Sequence, residues 1–126
     1  MDSSAFMKLV LREDHSEALI TWVESGSPDI ALSELVVTEC MRTARRLGPQ
    51  VVVETRAALT SFRMRTMNAE IWRWAGEIDP HSLRTLDALH LSVALSFGAH
   101  LESVVTYDKR LTEACTAYGI RVLAPV

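Results

Sequence analysis

The chain lacks the residue patterns that staple small folds or bind soft metals. Its two cysteines, Cys40 and Cys115, are too far apart for a CxxC motif and each falls in a helical pattern, so both are read as buried free thiols. No Cys/His cluster suggests zinc. No apolar run approaches the ~20 residues of a membrane span. The N-terminus has no charged segment leading into a signal-type core. The expected address is therefore the cytoplasm. Internal repeats, linkers and low-complexity tracts are missing as well. So is a cationic excess: 13 basic groups stand against 16 acidic ones, a net charge of −3. That argues against a general electrostatic grip on nucleic acid. It leaves room for a local basic rim, because partner choice follows charge distribution and not the sum.

What remains is ordinary globular material. The 126 residues, 48% hydrophobic and 23% charged, predict one domain over 1–126. A chain of this length buries about two-thirds of its unfolded surface without staples.

Leu83 to Leu111 organises the rest. Leu86, Leu89, Leu91, Val93, Ala94, Leu95 and Phe97 describe a helix apolar over most of its circumference, hence buried. Gly98 stops it, and Val104, Val105 and Thr106 form a short β-favouring run. Asp87 opens that helix and Asp108 follows that strand. In open parallel sheets, ligands bind beyond the carboxyl ends of the strands, where Asp108 falls.

In chain order, Ser3 or Ser4 is expected to cap a helix over AFMKLVLRE, and Asp14 to Glu17 opens a second from His15 to Ser25, stopped by Gly26. Asp29 to Leu32 reads as a buried strand. Ser33 caps a helix from Glu34 to Leu47 with Leu35, Val36, Cys40 and Leu47 facing the core. Gln50 to Phe62 is amphipathic and Arg63 to Met67 extended, and Asn68 caps a helix over Ala69 to Glu77. Lys109 to Tyr118 is helical, Gly119 stops it, and Ile120 to Leu123 is a last strand. Strands alternating with helices predict an α/β domain with a mainly parallel central sheet flanked by helices.

Asp2, Glu39, Asp87 and Asp108 lie on four separate elements. Each has a structural reading: a solvent-exposed end residue, a solvated helix residue paired with Arg42, a helix-dipole partner, and a helix cap, respectively. Gathered in one cleft, they would repel one another unless a divalent cation were present. Hard ions such as Mg²⁺ and Mn²⁺ take oxygen ligands and share their shell with substrate phosphate.

The blocks DSSAFMKLVLRE, LSELVVTECMRTARR, LRTLDALHLSVAL and VVTYDKRL, in that order and nearly end to end, resemble the PIN-domain nucleases, and more narrowly the VapC toxins of bacterial toxin–antitoxin pairs. The resemblance implies a three-layer PIN-like fold and a Mg²⁺- or Mn²⁺-dependent endoribonuclease. It further implies a homodimer restrained by a cognate VapB-type antitoxin. It matches the family's acidic positions to Asp2, Glu39, Asp87 and Asp108, with Asp2, Asp87 and Asp108 as metal ligands and Glu39 binding or orienting the metal–water assembly. Ser3 and Thr106 match its supporting hydroxyls. One departure stands out: the family has a complete central strand before its first Asp, and here only Met1 precedes Asp2. The expectation is a first strand truncated because the natural start lies upstream. The alternative is a sheet repaired by a neighbouring chain.

Arg42, Arg45, Arg46, Arg84, Lys109 and Arg110 flank the acids in sequence. Arg42, Arg46, Arg84 and Lys109 are the candidates for tracking RNA backbone. His90, one turn from Asp87, reads as a packed helix histidine. Trp72 and Trp74 point apart, so one is expected in the core and the other at a dimer or antitoxin surface. Two other function classes remain. One is a non-catalytic PIN-fold interaction module. The other is a phosphotransfer receiver, which would need paired acids after its first strand and a lysine after its last; neither is evident.

Overall fold

The computed structural model describes residues 1–26 and 28–126. In chain order these form α1 (Ser3–Val10), α2 (Ser16–Gly26), β1 (Ala31–Ser33), α3 (Glu34–Leu47), α4 (Pro49–Leu59) and β2 (Arg63–Arg65). Then come α5 (Ala69–Glu77), α6 (Thr85–Leu95), a 3₁₀ turn over Gly98–His100, β3 (Val104–Val105), α7 (Lys109–Ala117) and β4 (Val122–Leu123). The expected alternation of helices and parallel strands is present.

Local signals explain most boundaries. Ser33 Oγ accepts from Val36 N at 3.4 Å and opens α3; Asn68 Oδ1 accepts from Ile71 N at 3.0 Å and opens α5. Pro49 takes the first turn of α4, where its missing N–H costs nothing. Gly119 turns the chain out of α7 at φ +71°, a conformation that glycine adopts without steric cost. One cap differs from expectation. Asp2, not Ser3 or Ser4, caps α1, with its Oδ1 accepting from Ala5 N at 3.1 Å. A carboxylate offers two acceptor oxygens and favours the positive end of the helix, so it outcompetes the neighbouring hydroxyls.

The strands form two parallel pairs, not one continuous sheet. Ala31, Leu32 and Ser33 of β1 align with Arg63, Met64 and Arg65 of β2; Val104 and Val105 of β3 align with Val122 and Leu123 of β4. Met1 and Asp2 join the pairs. The Met1 amino group donates to Ala31 O, and Asp2 N donates to Val105 O, each at 3.0 Å. Beside this junction lies a groove of about 730 Å³, walled by Ala31 and Leu32 on one side, Val104 and Val105 on the other, and Ala94 and Phe97 of the α6 end.

The core wraps these pairs. Phe6, Met7, Leu32, Val36 and Cys40 pack together, with Phe62 edge-on to Phe6 at 5.6 Å between ring centroids. Leu89 and Val93 of α6 pack on Met67 and Ile71, while Leu91 packs on Leu111, Ala114 and Cys115. Burying both faces of α6 is what its all-round apolar sequence predicts. Two core assignments are corrected. Leu47, at the last turn of α3, is 54% exposed. Neither Trp72 nor Trp74 is core: Trp72 is 51% exposed and Trp74 38%, because Ile71 supplies the buried position of this short helix. Trp72 Nε1 instead donates to Met67 O at 3.1 Å. Both cysteines are free and buried. Among the described residues no helix is long and apolar enough to cross a membrane.

Candidate active site

Four elements bring the acids to one place. Asp2 precedes α1, Glu39 sits mid-α3, Asp87 lies in the first turn of α6, and Asp108 caps α7. All four line one cleft of about 330 Å³. Ser3, Arg84, His90 and Arg110 line it too.

Asp2 is the most constrained. It is 5% exposed. Ser4 Oγ lies 2.8 Å from its Oδ1 and 2.9 Å from its Oδ2, and Thr106 Oγ1 donates to Oδ2 at 2.8 Å. Thr106, itself fully buried, also accepts from Asp108 N at 3.0 Å. One hydroxyl thus links the first and last of the four cleft acids. Full hydrogen bonding is what makes a buried carboxylate tolerable.

Asp108 divides its oxygens. Oδ1 accepts from Arg110 N at 2.8 Å and Leu111 N at 3.1 Å, fixing the start of α7. Oδ2 lies 3.9 Å from Arg110 Nη2. Asp87, 9% exposed, places its Oδ2 3.8 Å from Arg110 Nε. Two carboxylates from different helices therefore face a single guanidinium. Glu39 pairs separately, its Oε2 lying 2.9 Å from His90 Nε2. Below the cleft, burial, assisted by the charges of Glu39 and Asp2, pushes the Cys40 thiol up to about 12. It is neither nucleophile nor ligand at neutral pH.

As arranged, no three acidic, histidine or cysteine groups among the described residues close on one ion-sized point. The donor chemistry nevertheless fits a hard cation: carboxylate oxygens, with the nearby imidazole engaged by Glu39. A cation already faces Asp87 and Asp108, in the form of Arg110.

The cleft and its order of acids can be set beside known proteins. The chain matches the PIN domain over residues 1–116. It belongs to the PIN-domain family. This PIN domain is 35% identical over 125 residues to Ribonuclease VapC46 of Mycobacterium tuberculosis (strain ATCC 25618 / H37Rv), covering 99% of this chain and 95% of that one. It is 34% identical over 129 residues to Ribonuclease VapC47 of Mycobacterium tuberculosis (strain CDC 1551 / Oshkosh), with the same coverage. Among solved structures, its fold resembles Mycobacterium tuberculosis VapC20, described as a sarcin–ricin loop cleaving toxin. The TM-score is 0.72 at 20% identity, over 90% of this chain and 92% of that one.

Against this frame, the nominated residues of the PIN domain separate. Thr106 bonds Asp2 directly, whereas Ser3 lines the cleft and leaves the bonding to Ser4. Of the basic candidates, Arg84 lines the cleft; Arg42, Arg46 and Lys109 are exposed and are not part of its wall. Arg46 Nη2 donates to Thr43 Oγ1 at 3.1 Å along its own helix. Three residues of the site were expected in other roles: Ser4 as a possible helix cap, His90 as a packed helix histidine, and Arg110 only as one of the flanking cations. A signal existed for His90, since α6 is apolar all round and a polar residue there needs a partner. Ser4 and Arg110 carried none stronger than their neighbours, because a one-residue choice among Ser3/Ser4 or Lys109/Arg110 depends on how the helix starts.

Proposed function

We propose that this PIN domain is a divalent-cation-dependent endoribonuclease that hydrolyses RNA phosphodiester bonds as the toxin of a VapBC-type pair. The observation that carries this reading is the convergence of Asp2, Glu39, Asp87 and Asp108, from four separate elements, on one cleft. The ribonuclease names of relatives matching nearly the whole chain support it.

Asp2, Asp87 and Asp108 are the residues to hold Mg²⁺ or Mn²⁺, with Glu39 beside them. Bound there, the ion supplies Lewis acidity and a water of lowered pKa. The chain's own residues set the geometry. Ser4 and Thr106 lock the Asp2 carboxylate, so its orientation requires no reorganisation when substrate arrives. Asp108 directs Oδ2 into the cleft because the α7 backbone holds Oδ1. His90 aligns Glu39, which accepts a proton from the attacking water. Arg84, exposed at the cleft wall, positions the phosphate and shares its negative charge.

The partners follow from the same reading: an RNA substrate, a VapB-type antitoxin that restrains the enzyme, a second copy in a homodimer, and a cytoplasmic setting. Trp72, Trp74 and Val53, each a large apolar side chain left exposed, are the anchors for protein contacts. The test is cleavage of a structured RNA by purified protein with Mn²⁺ or Mg²⁺. Activity is expected to vanish with EDTA and to fall by at least about a hundredfold in Asp87→Asn. Full activity of Asp87→Asn in a nuclease-free preparation sinks the assignment of this cleft as the catalytic site. A wild-type protein that cleaves no RNA with either ion leaves a PIN-fold interaction module.

A further inference from the structure

The most informative contact in the cleft is one that the proposed chemistry does not use. Arg110 reaches back over the start of α7 and lies against Asp87 Oδ2 through Nε at 3.8 Å and against Asp108 Oδ2 through Nη2 at 3.9 Å. Asp108 Oδ2 is the oxygen that the α7 cap leaves over, and Asp87 and Asp108 both line the cleft, so the guanidinium sits where two of the proposed ligand oxygens share a cation. Resting on the metal-dependent reading above, we propose that Arg110 is the cleft's internal counter-ion, a positioning residue that a divalent cation displaces on binding.

Three observations support the exchange. The separations are those of ion pairs, longer than hydrogen bonds, so no directional bond must be broken to release the arginine. The side chain is 55% exposed and can swing outward without opening the core. A guanidinium carries one charge and a divalent ion two, so the ion neutralises the carboxylates more fully once its hydration is exchanged. Until then, Arg110 relieves the repulsion between Asp87 and Asp108 that would otherwise weigh on the fold. Displaced, it stays at the cleft mouth with a fork of donors suited to a phosphate.

Mn²⁺ titration by calorimetry, with thermal melts in EDTA and in saturating Mn²⁺, tests the exchange without reading cleavage. Removing the competing charge in Arg110→Gln, or in Arg110→Met, which keeps the alkyl stem, is expected to tighten Mn²⁺ binding about three- to tenfold. Arg110→Lys, which keeps the charge, stays near wild type. The melts are expected to cross: the neutral variants melt below wild type in EDTA and above it in Mn²⁺. A merely structural arginine lowers both melts and gives no crossing. Equal Mn²⁺ affinity in wild type and both neutral variants overturns the counter-ion role and leaves the metal-dependent reading standing. A wild-type protein that binds no Mn²⁺ overturns that reading first, and the exchange with it.

Discussion

Two hollows meet at Asp2, His90 and Leu111, which line both, and they are built on opposite principles. The acidic cleft is about 330 Å³ and is defined by charged side chains whose mutual repulsion opposes folding. The groove beside it is about 730 Å³, with apolar side chains of β1, β3 and α6 along its walls and Asp29, Arg63, Glu102 and Arg121 among the charged residues that also line it. The cleft is held in shape by hydrogen bonds: Ser4 and Thr106 on Asp2, backbone N–H groups on Asp108, His90 on Glu39. The groove is held by packing, and by the two backbone bonds through which Met1 and Asp2 tie Ala31 to Val105. On the proposed reading one hollow sets chemistry and the other sets stability, so substitutions in the two should separate.

The largest stability effect is expected at Leu32, fully buried and part of both the groove wall and the cluster under α1. Leu32→Ala should cost about 2–5 kcal/mol, read by urea or thermal unfolding, because the deleted side chain leaves a space that the surroundings fill only partly. RNA cleavage per folded molecule should stay near wild type. Asp87→Asn is the mirror image: cleavage lost, with the metal-free melting temperature unchanged or slightly raised as repulsion is relieved. The comparison breaks if Asp87→Asn unfolds the protein as readily as Leu32→Ala does.

A smaller and mixed effect is expected where the hollows touch. Asp2 is both cleft acid and helix cap, so Asp2→Ala should lower stability by roughly 1–3 kcal/mol and abolish cleavage. Thr106 Oγ1, fully buried, loses its acceptor in that variant. Asp2→Asn keeps a capping oxygen and should recover most of the stability but none of the activity. Equal melting of the Ala and Asn variants would show that the cap and hydroxyl bonds contribute nothing.

The same division explains what could be read from the chain alone. Ser33, Asn68, Pro49 and Gly119 act within a few residues of themselves, and the elements they bound came out close to expectation. The all-round apolar pattern of α6 and the burial of Cys40 and Cys115 were legible for the same reason: side-chain periodicity reports burial directly. The four acids could be nominated because their family order is a linear pattern. What pairs with them could not. The partners of Asp2 come from Ser4 and Thr106, and Glu39 pairs with His90, fifty-one positions away in the chain. Such pairings are fixed by how α3 and α6 flank the strands. The split into two parallel pairs was likewise hidden, since strands of two or three residues carry too little alternation to show their neighbours. Trp72 misled because two-residue spacing says only that two side chains diverge, not that either is buried.

The smallest effect tests whether the core packed behind the two hollows stays dry. Cys40 packs under the cleft with Phe6 and Leu32, and Cys115 packs with Leu91 and Leu111. Burial lifts Cys40 from an ordinary 9.0 to about 12 and Cys115 to about 11. Between pH 9 and 11 the unfolded chain loses both thiol protons while the folded chain keeps them, so stability must fall as pH rises through that window. Below pH 9 both states hold the protons and the pH dependence from these thiols disappears. A thiol reagent at pH 8 should therefore label neither cysteine until denaturant unfolds the chain, and Cys40→Ser and Cys115→Ser together should flatten the alkaline decline. Rapid native-state labelling of Cys40 would mean that water reaches beneath Glu39 and Asp2. The hydrogen bonds around Asp2 would then be screened by solvent, and the rigid placement assigned to that carboxylate would no longer follow.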